Sequence, residues 1–416
     1  MGLPRPIEFA IVHAGCIYPR AKTCLLNCKN NNRNNFPFST FNFPLIKASY
    51  PIFRSSKKIF MWYHFRMIQR RKSKEISIGD IKIGADNPIS VQSMCNTDTR
   101  DIEKTSAQIK ELSDAGCEIV RLAVLNPEAA DAIKELVKMS SVPLVADIHF
   151  DYRLAIQCIN NGISALRLNP GNIGRIEHTQ SVVKLAKQQN IPIRIGVNAG
   201  SLEKDLQQKD CSLSDKMVES AMRHIKILED MDFDLIKLSL KSSDVYTTIE
   251  AYRKIAKIID YPLHIGLTEA GTMRGGLIKS SIGIGTLLAE GIGDTIRVSL
   301  TEDPVEEVYA GYDILKSLNL RKRGVNFVSC PTCGRTQIDL ITLAKKVEER
   351  FKNLDRDITI AVMGCPVNGP GEAKNADYGI AGAIGEGYIF KKGEIIARVP
   401  EDELLEKFEE IVLSGI

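Results

Sequence analysis

The stretch IVRLAVLNPEAADAIKELVKMSSVPLVAD, residues 119–147, shows the pattern that decides the fold. It begins with a short run rich in β-branched residues, Ile119–Ala123, continues with a segment of helical period, Glu128–Met139, and ends with a second short run, Leu144–Asp147. The flanking runs have the length and composition of buried strands, whereas the apolar residues between them recur at helical spacing. A strand, a helix and a second strand in this order predict a unit with parallel strands.

The same alternation continues through most of the chain and places it in the α/β class. The eight predicted strands are Ile89–Ser93, Ile119–Ala123, Leu144–Asp147, Ala165–Asn169, Ile193–Val197, Leu235–Leu240, Leu263–Thr268 and Thr295–Leu300. Helical segments such as Asp101–Ala115 lie between them and end near Gly or Pro. Eight units over about 230 residues match a (β/α)8 TIM barrel, which typically needs about 250 residues. A doubly wound sheet is the alternative, but it rarely contains eight such regular units.

Basic side chains share one face of several predicted strands. Alternate residues of a barrel strand face the lumen, and active sites lie at the carboxyl ends of the strands. The residues of this parity are the cations Arg121, Arg167, Arg194, Lys237 and Arg297 and the polar residues Asp147, His149, Asn169, Asn198, Ser239 and Ser299. Burying several unpaired cations is costly, so we expect them to share a polyanionic ligand. Since Arg binds phosphate with two parallel hydrogen bonds, we predict a phosphorylated or diphosphate substrate; internal salt bridges are the alternative.

One carboxylate is predicted among these cations. Glu269 ends the seventh run, in the segment LTEAGT. A carboxylate at this place is a candidate general acid or base. The alternative is that Glu269 only forms an ion pair with Arg297.

Two cysteine motifs follow in the last part of the chain. Cys330 and Cys333 lie in SCPTCGR, and Cys365 and Glu372 lie in MGCPVNGPGE. A structural zinc site normally takes four Cys or His ligands, and this part of the chain supplies three, since the last histidine is His264. Three thiolates instead suit a cubane iron–sulfur cluster whose fourth corner takes a weaker ligand or a substrate. A turn rich in Gly and Pro could bring Glu372 back toward the metal; alternatively, Glu372 is an ordinary surface acid.

Three segments are predicted along the chain. Residues 1–66 contain ten Lys or Arg and a single acid, and they show no sustained helix or strand period. We interpret them as translated upstream sequence before a start at Met61 or Met67; an organelle-targeting peptide is the alternative. Residues 67–320 form the predicted barrel. A small α+β domain, residues 321–416, begins with the basic segment RKRG, and each of its two cysteine loops directly follows a predicted strand.

The order of elements predicted for this second domain is simple. A strand, Val325–Ser329, precedes a helix, Gln337–Lys352, and a further strand, Ile358–Met363. Two or three short strands and a final helix from Glu401 complete it.

Composition excludes several classes of function. Outside residues 1–66 the chain is mildly acidic, so it lacks the basic footprint of a nucleic-acid-binding protein. No stretch is apolar for long enough to cross a membrane. The ten cysteines show no disulfide framework, which indicates a reduced, intracellular protein. Those without motif spacing are predicted to be buried small hydrophobic residues or bystanders: Cys95, Cys117, Cys158 and Cys211.

The motifs together resemble those of the 4-hydroxy-3-methylbut-2-enyl diphosphate synthase family. The resemblance rests on VADIHFDYR, LRLNPGNIG, GVNAGSLEKDL, ESAMRH, LTEAG, EGIGDTIRVSL, CPTCGR and GCPVNGPGEA. It extends from about Ile68 to the C-terminus and is similar to the short bacterial two-domain form. Since that form begins close to the segment IQRRKS, the resemblance supports Met67 as the start and implies a bacterial, cytoplasmic protein.

The resemblance implies a function and its residues. The reaction would be the reductive ring opening of 2-C-methyl-D-erythritol 2,4-cyclodiphosphate, with flavodoxin or ferredoxin as electron donor. A [4Fe–4S] cluster would be held by Cys330, Cys333 and Cys365, with Glu372 as a displaceable fourth ligand. Glu269 would face the substrate as the acid of the barrel. The diphosphate would be bound by Arg121, Arg167, Arg194, Lys237 and Arg297, with hydrogen bonds from Asn169, Asn198 and Ser299.

The family also implies a head-to-tail homodimer in which the cluster domain of one subunit closes the barrel of the other. Two other functions are considered. One is a phosphate-binding lyase or transferase with a structural metal domain, which the missing fourth soft ligand disfavours. The other is an iron–sulfur electron carrier or regulator, which gives no reason for five cations in the lumen.

Overall fold

The computed structural model describes residues 68–352, 354–366 and 373–415. The predicted extension 1–66 and the predicted cluster ligand Glu372 lie outside the described residues.

A closed ring of parallel strands forms the larger part of the protein. After a short antiparallel hairpin, β1 (Ile76–Ile78) and β2 (Ile81–Ile83), come the eight strands β3 (Ser90–Met94), β4 (Ile119–Ala123), β5 (Leu144–Asp147), β6 (Ala165–Leu168), β7 (Ile193–Asn198), β8 (Ile236–Lys241), β9 (His264–Ile265) and β10 (Thr295–Ile296). They pair in parallel in the order β8-β7-β6-β5-β4-β3-β10-β9. A bridge between Leu238 and Leu263 joins the two end strands. The predicted TIM barrel is therefore confirmed.

The last two strands of the barrel are shorter than predicted. The runs Leu263–Thr268 and Thr295–Leu300 form ladders over only two residues each. A glycine follows the ladder of β9, since a Cβ on Gly266 would lie 2.3 Å from the carbonyl oxygen of Arg297. The residues after Ile265 and Ile296 lie beyond the ladders and lead into the loops of the site.

A layer of helices covers the barrel. The helices are α1 (Ile102–Asp114), α2 (Pro127–Met139), α3 (Tyr152–Asn160), α4 (Ile176–Gln188), α5 (Lys204–Gln208), α6 (Leu213–Glu229), α7 (Val245–Ile255), α8 (Met273–Ala289) and α9 (Pro304–Ser317). Short polar side chains begin many of them: Asp101 caps α1, Asn126 caps α2 and Ser212 caps α6. Each cap accepts a hydrogen bond from a backbone N–H of the first turn, which the helix itself leaves unpaired. None of the helices in the described ranges has both the length and the apolar character needed to span a bilayer.

The seam between β8 and β9 depends on a tyrosine from the helix layer. The hydroxyl of Tyr252, on α7, accepts a hydrogen bond from the backbone N–H of Leu240 at 3.0 Å and donates one to the carbonyl oxygen of His264 at 2.6 Å. Tyr252 is completely buried, and burial raises the pKa of its hydroxyl, so it stays protonated. One side chain thus replaces the direct backbone bond that the short β9 does not make.

The N-terminal segment of the described chain binds the base of the barrel. Asp294, whose side chain is only 3% exposed, accepts hydrogen bonds from Arg70 at 2.9 Å and Ser73 at 3.0 Å. Arg71 lies 3.6 Å from the other carboxylate oxygen and donates to the carbonyl oxygens of Ile259 and Tyr261. Residues 70–73 therefore belong to the barrel.

A five-stranded sheet forms the C-terminal part of the protein. Its strands β11 (Asn326–Ser329), β12 (Thr359–Met363), β13 (Tyr378–Ala383), β14 (Glu386–Lys391) and β15 (Glu394–Pro400) pair in sequence order. The first three are parallel and the last two join antiparallel. Helices α10 (Leu340–Phe351) and α11 (Leu404–Ser414) contribute Phe351 and Phe408, whose rings meet edge to face at 5.7 Å in a core separate from that of the barrel.

The predicted helix Gln337–Lys352 begins later than expected. Asp339 caps α10 by accepting a hydrogen bond from the N–H of Thr342. Gln337 instead donates its N–H to the carbonyl oxygen of Gly364 at 2.9 Å, which ties it to the loop of Cys365. Similarly, the final helix starts at Leu404, because Glu401–Glu403 form a 3-10 turn.

We predict that Tyr252→Phe destabilises the barrel by about 2 kcal/mol, since it leaves two buried backbone groups without their partner. Denaturant unfolding of both proteins measures this difference. Tyr246→Phe on the same helix is the control, because Tyr246 is 69% exposed. Equal stability of the two variants would contradict the bridging role of Tyr252.

We also predict different outcomes for two N-terminal truncations. A chain that starts at Met67 should unfold at the same denaturant concentration as the full chain. A chain that starts at Lys74 lacks Arg70, Arg71 and Ser73, and it should lose about 3 kcal/mol because the buried Asp294 keeps its charge without these partners. A loss of stability on removing residues 1–66 alone would contradict the interpretation of that segment as upstream sequence.

Candidate active site and cysteine loops

Four charged residues form one row across the barrel. Asp147 pairs in register with Arg167, Arg167 with Arg194, and Arg194 with Lys237, from β5 to β8. Residues that pair across parallel strands point to the same side of the sheet. All four side chains are buried, between 2% and 7% exposed. The structure thus places the four predicted residues together in the barrel interior.

Asp147 is the negative member of this row. Its carboxylate lies 3.2 Å from Nη1 of Arg167, 3.6 Å from Nε of Arg121 and 3.6 Å from Nε2 of His149. Burial raises the pKa of Asp147, but Arg121, His149 and Arg167 together lower it far more, so that it lies well below its usual range. Asp147 therefore remains ionised and fixes the position of two guanidinium groups.

Arg194 and Lys237 lack an anionic partner. Nη1 of Arg194 donates to Ser239 at 3.1 Å, but its Nε and Nη2 and the Nζ of Lys237 are buried without a hydrogen bond to any described residue. Burial and the neighbouring arginines lower the pKa of both groups. Both ring nitrogens of His264 are buried and unpaired in the same way. Internal salt bridges, the alternative from the sequence, therefore account for only some of the cations.

Lys241 is a further cation of the lumen, and it lies just outside the predicted strand Leu235–Leu240. It ends β8 and pairs in register with Asn198, the last residue of β7. Its side chain is 6% exposed, and burial, Arg194 and Arg297 lower its pKa. The predicted strand stopped at Leu240; the same alternation, extended by one residue, would have identified Lys241.

The two lysines of β8 occupy different depths. Lys237 lines the closed interior with Ile78, Val145 and Pro192. Lys241 lies at the carboxyl end of the strand, where barrel enzymes bind their substrates. The geometry therefore favours Lys241 over Lys237 for direct contact with a ligand at the mouth.

Arg297 forms its ion pair with Glu307 and not with Glu269. Its Nε and Nη2 donate to the two carboxylate oxygens of Glu307 on α9, both at 3.2 Å. Glu307 is 4% exposed and also accepts hydrogen bonds from Ser93 and from the N–H of Leu300. The alternative in which Glu269 pairs with Arg297 is wrong. No sequence signal identified Glu307, because a helical glutamate normally lies on the surface.

The loops that follow the strands carry the remaining predicted residues. Glu269 lies after β9, exposed, with a backbone φ of 53° that non-glycine residues rarely adopt. Asn169 is buried, and its Oδ1 accepts a hydrogen bond from the N–H of Gly196 at 2.8 Å, which leaves its amide NH2 for a ligand. Asn198 and Ser299 are half-buried. These residues therefore lie at the mouth end of the lumen, above the charged row.

The two described cysteine loops leave neighbouring strands of the small sheet. Ser329 pairs in register with Val362, so that the loops of Cys330 and Cys365 begin side by side. The N–H of Gly364 points at the sulfur of Cys330 at 3.2 Å. The described residues contain no three His, Cys, Asp or Glu side chains already grouped for a metal ion, and Glu372 lies outside them.

The chemistry of these thiols still fits a cluster. The backbone N–H of Arg335 lowers the pKa of Cys333, which favours the thiolate that binds metal. In contrast, burial raises the pKa of Cys95, Cys117 and Cys158 to about 12, so these remain thiols. The burial of Cys95, Cys117 and Cys158 agrees with their predicted role as bystanders, whereas the assignment of Cys330, Cys333 and Cys365 as ligands stays a prediction.

Comparison with known proteins assigns the chain to a family. Residues 73–312 match the sequence family described as the GcpE TIM-barrel domain, and residues 326–414 match the GcpE protein C-terminal domain. The chain belongs to the GcpE family. Its relatives include proteins named 4-hydroxy-3-methylbut-2-en-1-yl diphosphate synthase (flavodoxin), and the resemblance seen in the sequence is therefore confirmed.

These GcpE relatives match over nearly their whole length. The Clostridium perfringens protein is 59% identical over 83% of this chain and 99% of its own length. Those of Dehalococcoides mccartyi and Geobacter sulfurreducens are 60% and 56% identical over 82% of this chain and 97% and 99% of their own lengths. Among solved structures, the dihydropteroate synthase of Stenotrophomonas maltophilia has a TM-score of 0.46 at 12% identity, covering 59% of this chain and 97% of that one.

We predict that Lys237→Met stabilises the ligand-free protein by about 2 kcal/mol at neutral pH, since it removes a buried, unpartnered ammonium group. Because the pKa of Lys237 is lowered in the folded state, the unfolded chain binds more protons between that lowered pKa and about pH 10, and in this range the stability of the parent protein rises with pH. The advantage of Lys237→Met should therefore shrink between pH 7 and pH 10.

Denaturant unfolding across this pH range measures the effect. Lys257→Met is the control, since Lys257 is exposed on the surface. A stability advantage of Lys237→Met that is constant with pH would contradict the assignment of an unpartnered, titrating Lys237.

Proposed function

We propose that the chain catalyses the reductive ring opening of 2-C-methyl-D-erythritol 2,4-cyclodiphosphate to 4-hydroxy-3-methylbut-2-enyl diphosphate, a step of isoprenoid biosynthesis. Proteins of the GcpE family that match this chain over nearly their whole length bear the name of this oxidoreductase. The single observation that carries the proposal is the surplus of buried positive charge in the lumen, with unpaired nitrogens on Arg194 and Lys237. A cyclic diphosphate has the charge and the oxygen acceptors to satisfy these groups.

The cations would act on the leaving group of the reaction. Ring opening breaks a bond between carbon and a phosphate oxygen, and negative charge grows on that phosphate as the bond breaks. Arg121, Arg167, Arg194, Lys241 and Arg297 are held in a buried site before the substrate arrives, so their positive charge stabilises the transition state without reorganisation. Lys237 contributes to the same positive field from below. Asn169, Asn198 and Ser299 would donate hydrogen bonds that fix the orientation of the substrate.

The two carboxylates of the site have different proposed roles. Asp147 is held ionised by its cations, so it is unsuited to deliver a proton and instead positions Arg121 and Arg167. Glu269 is exposed at the mouth and makes no ion pair with Arg297, which supports its role as the acid that protonates the departing hydroxyl as water leaves.

The cysteine loops would hold the redox group. Cys330, Cys333 and Cys365 would bind a [4Fe–4S] cluster, with Glu372 as a displaceable fourth ligand. This group would supply the two electrons of the reaction one at a time, which side chains cannot do. The name of the relatives supports flavodoxin as the electron donor, with ferredoxin as the alternative.

The arrangement of subunits and the location complete the proposal. We propose a barrel domain of residues 67–320, a cluster domain of residues 321–416 and a head-to-tail homodimer in which each cluster domain serves the barrel of the other subunit. The setting is the bacterial cytoplasm, and neither a nucleic acid nor a membrane is a partner.

We predict that the anaerobically purified protein is brown, is bleached by dithionite and converts the cyclodiphosphate when reduced flavodoxin is supplied. Arg194→Ala and Cys365→Ala homodimers should each lose more than about a hundredfold in kcat/KM, because one lacks a clamp group and the other a thiolate ligand. Refolding the two variants together should restore part of the activity in the mixed dimers.

Each part of this experiment has a contrary result. A colourless protein that contains one zinc ion would contradict the proposed reaction and favour a structural metal domain. An active parent protein whose mixed variants stay inactive would contradict only the head-to-tail arrangement.

A further inference from the structure

A histidine of the helix layer joins two loops of the barrel mouth. His224 lies on α6 within the motif ESAMRH, which no part of the proposed reaction uses. Its Nδ1 accepts a hydrogen bond from the backbone N–H of Gly171 at 3.0 Å, in the loop after β6. Its Nε2 lies 3.0 Å from Oε1 of Glu203, in the loop after β7. Three separate motifs of the chain therefore meet at one imidazole ring.

The contacts define the state of this ring. Nδ1 accepts a hydrogen bond and so carries no proton, which leaves the proton on Nε2 to be donated to Glu203. His224 is 3% exposed, and burial lowers its pKa although Glu203 opposes the shift, so the neutral ring persists. A neutral imidazole has one hydrogen-bond donor and one acceptor, so it can join a loop that offers a backbone N–H to a loop that offers a carboxylate.

The fit of the ring to the first loop is close. A Cβ on residue 171 would lie 2.6 Å from Cε1 of His224, so that only glycine lets the ring approach the backbone this closely. The neighbouring residue of α6 reinforces the second loop, since Arg223 donates to Asp205 at 2.7 Å. Two consecutive residues of one helix thus hold the segment 203–205.

The joined loops carry two of the proposed substrate contacts. Asn169 lies two residues before Gly171, and Asn198 lies five residues before Glu203. Asn169 also accepts from the N–H of Gly196, which joins the same two segments at the strand ends. The two loops are connected once at the strand ends, between Asn169 and Gly196, and a second time through His224. Neither loop can therefore shift without the other.

We infer that His224 is a positioning residue, which holds the loops after β6 and β7 so that Asn169 and Asn198 meet the diphosphate of the substrate. The inference rests on the proposed function for its substrate, but the connection between the loops does not. His224 acts through these loops and does not touch the substrate itself.

The test uses the cluster-containing dimer and four proteins: the parent, His224→Ala, His224→Asn and Ile225→Val. Asn retains an acceptor close to the place of Nδ1, so it can still bind the N–H of Gly171. Ile225 is fully buried beside His224 on α6, and Ile225→Val disturbs the helix packing without touching either loop contact. KM and kcat for the cyclodiphosphate are measured with reduced flavodoxin, and hydrogen–deuterium exchange is measured for peptides that cover residues 168–175 and 198–206.

We expect His224→Ala to raise KM about tenfold and to change kcat by less than about threefold, because the substrate contacts are misplaced while the redox chemistry is untouched. Exchange should increase in both loops. His224→Asn should recover part of the KM and protect residues 168–175 but not residues 198–206. Ile225→Val should leave KM and the exchange of both loops at the parent values.

Two kinetic results would overturn the inference. The first is an unchanged KM in His224→Ala, and the second is an equal rise of KM in Ile225→Val, which would show a general loss of packing. If the parent protein does not convert the cyclodiphosphate, the proposed function fails, and exchange alone then decides the positioning role. In that case, unchanged exchange of both loops in His224→Ala would refute it.

Discussion

The structure depends on keeping more positive than negative charge inside a closed barrel. Burial of an unpaired cation costs several kcal/mol, so a basic residue is normally absent from such a place or is present in its neutral form. Here the surrounding helix layer and the apolar barrel wall have to supply the stability that the lumen does not. The lumen cations are Arg121, Arg167, Arg194, Lys237, Lys241 and Arg297, against the carboxylates of Asp147 and Glu307. A site organised in this way gives up stability for binding of a polyanion.

The two buried carboxylates divide the cations into a fixed and a free group. Asp147 orients Arg121 and Arg167, and Glu307 orients Arg297 with two parallel hydrogen bonds. Among the described residues, Arg194 and Lys237 have no such partner, so unpaired cationic nitrogens lie on the side of the barrel formed by β7 and β8. The loops that leave β6 and β7 border this side, which makes their positions matter for the ligand.

The sequence predicted the barrel and most of its lumen, because both follow from local period. Strands β4 and β5 have the predicted limits, and the parity rule identified Arg167 and Arg194 correctly as inward residues. The failures concern features that no local pattern contains. The start of α10 was misplaced because Gln337 binds a loop that is distant in sequence, and Glu307 was missed because its burial depends on Arg297 from a different element.

The seam of the barrel has a mechanical consequence. Between β8 and β9 the strands pair directly at one residue pair and are joined further by the hydroxyl of Tyr252, whereas β7 and β8 pair over six residues. Lys241 stands on one side of this seam and Arg297 on the other. A diphosphate bound by both side chains would connect the two sides of this seam. The barrel wall would then be most rigid with ligand bound, and it would become more mobile when the product leaves.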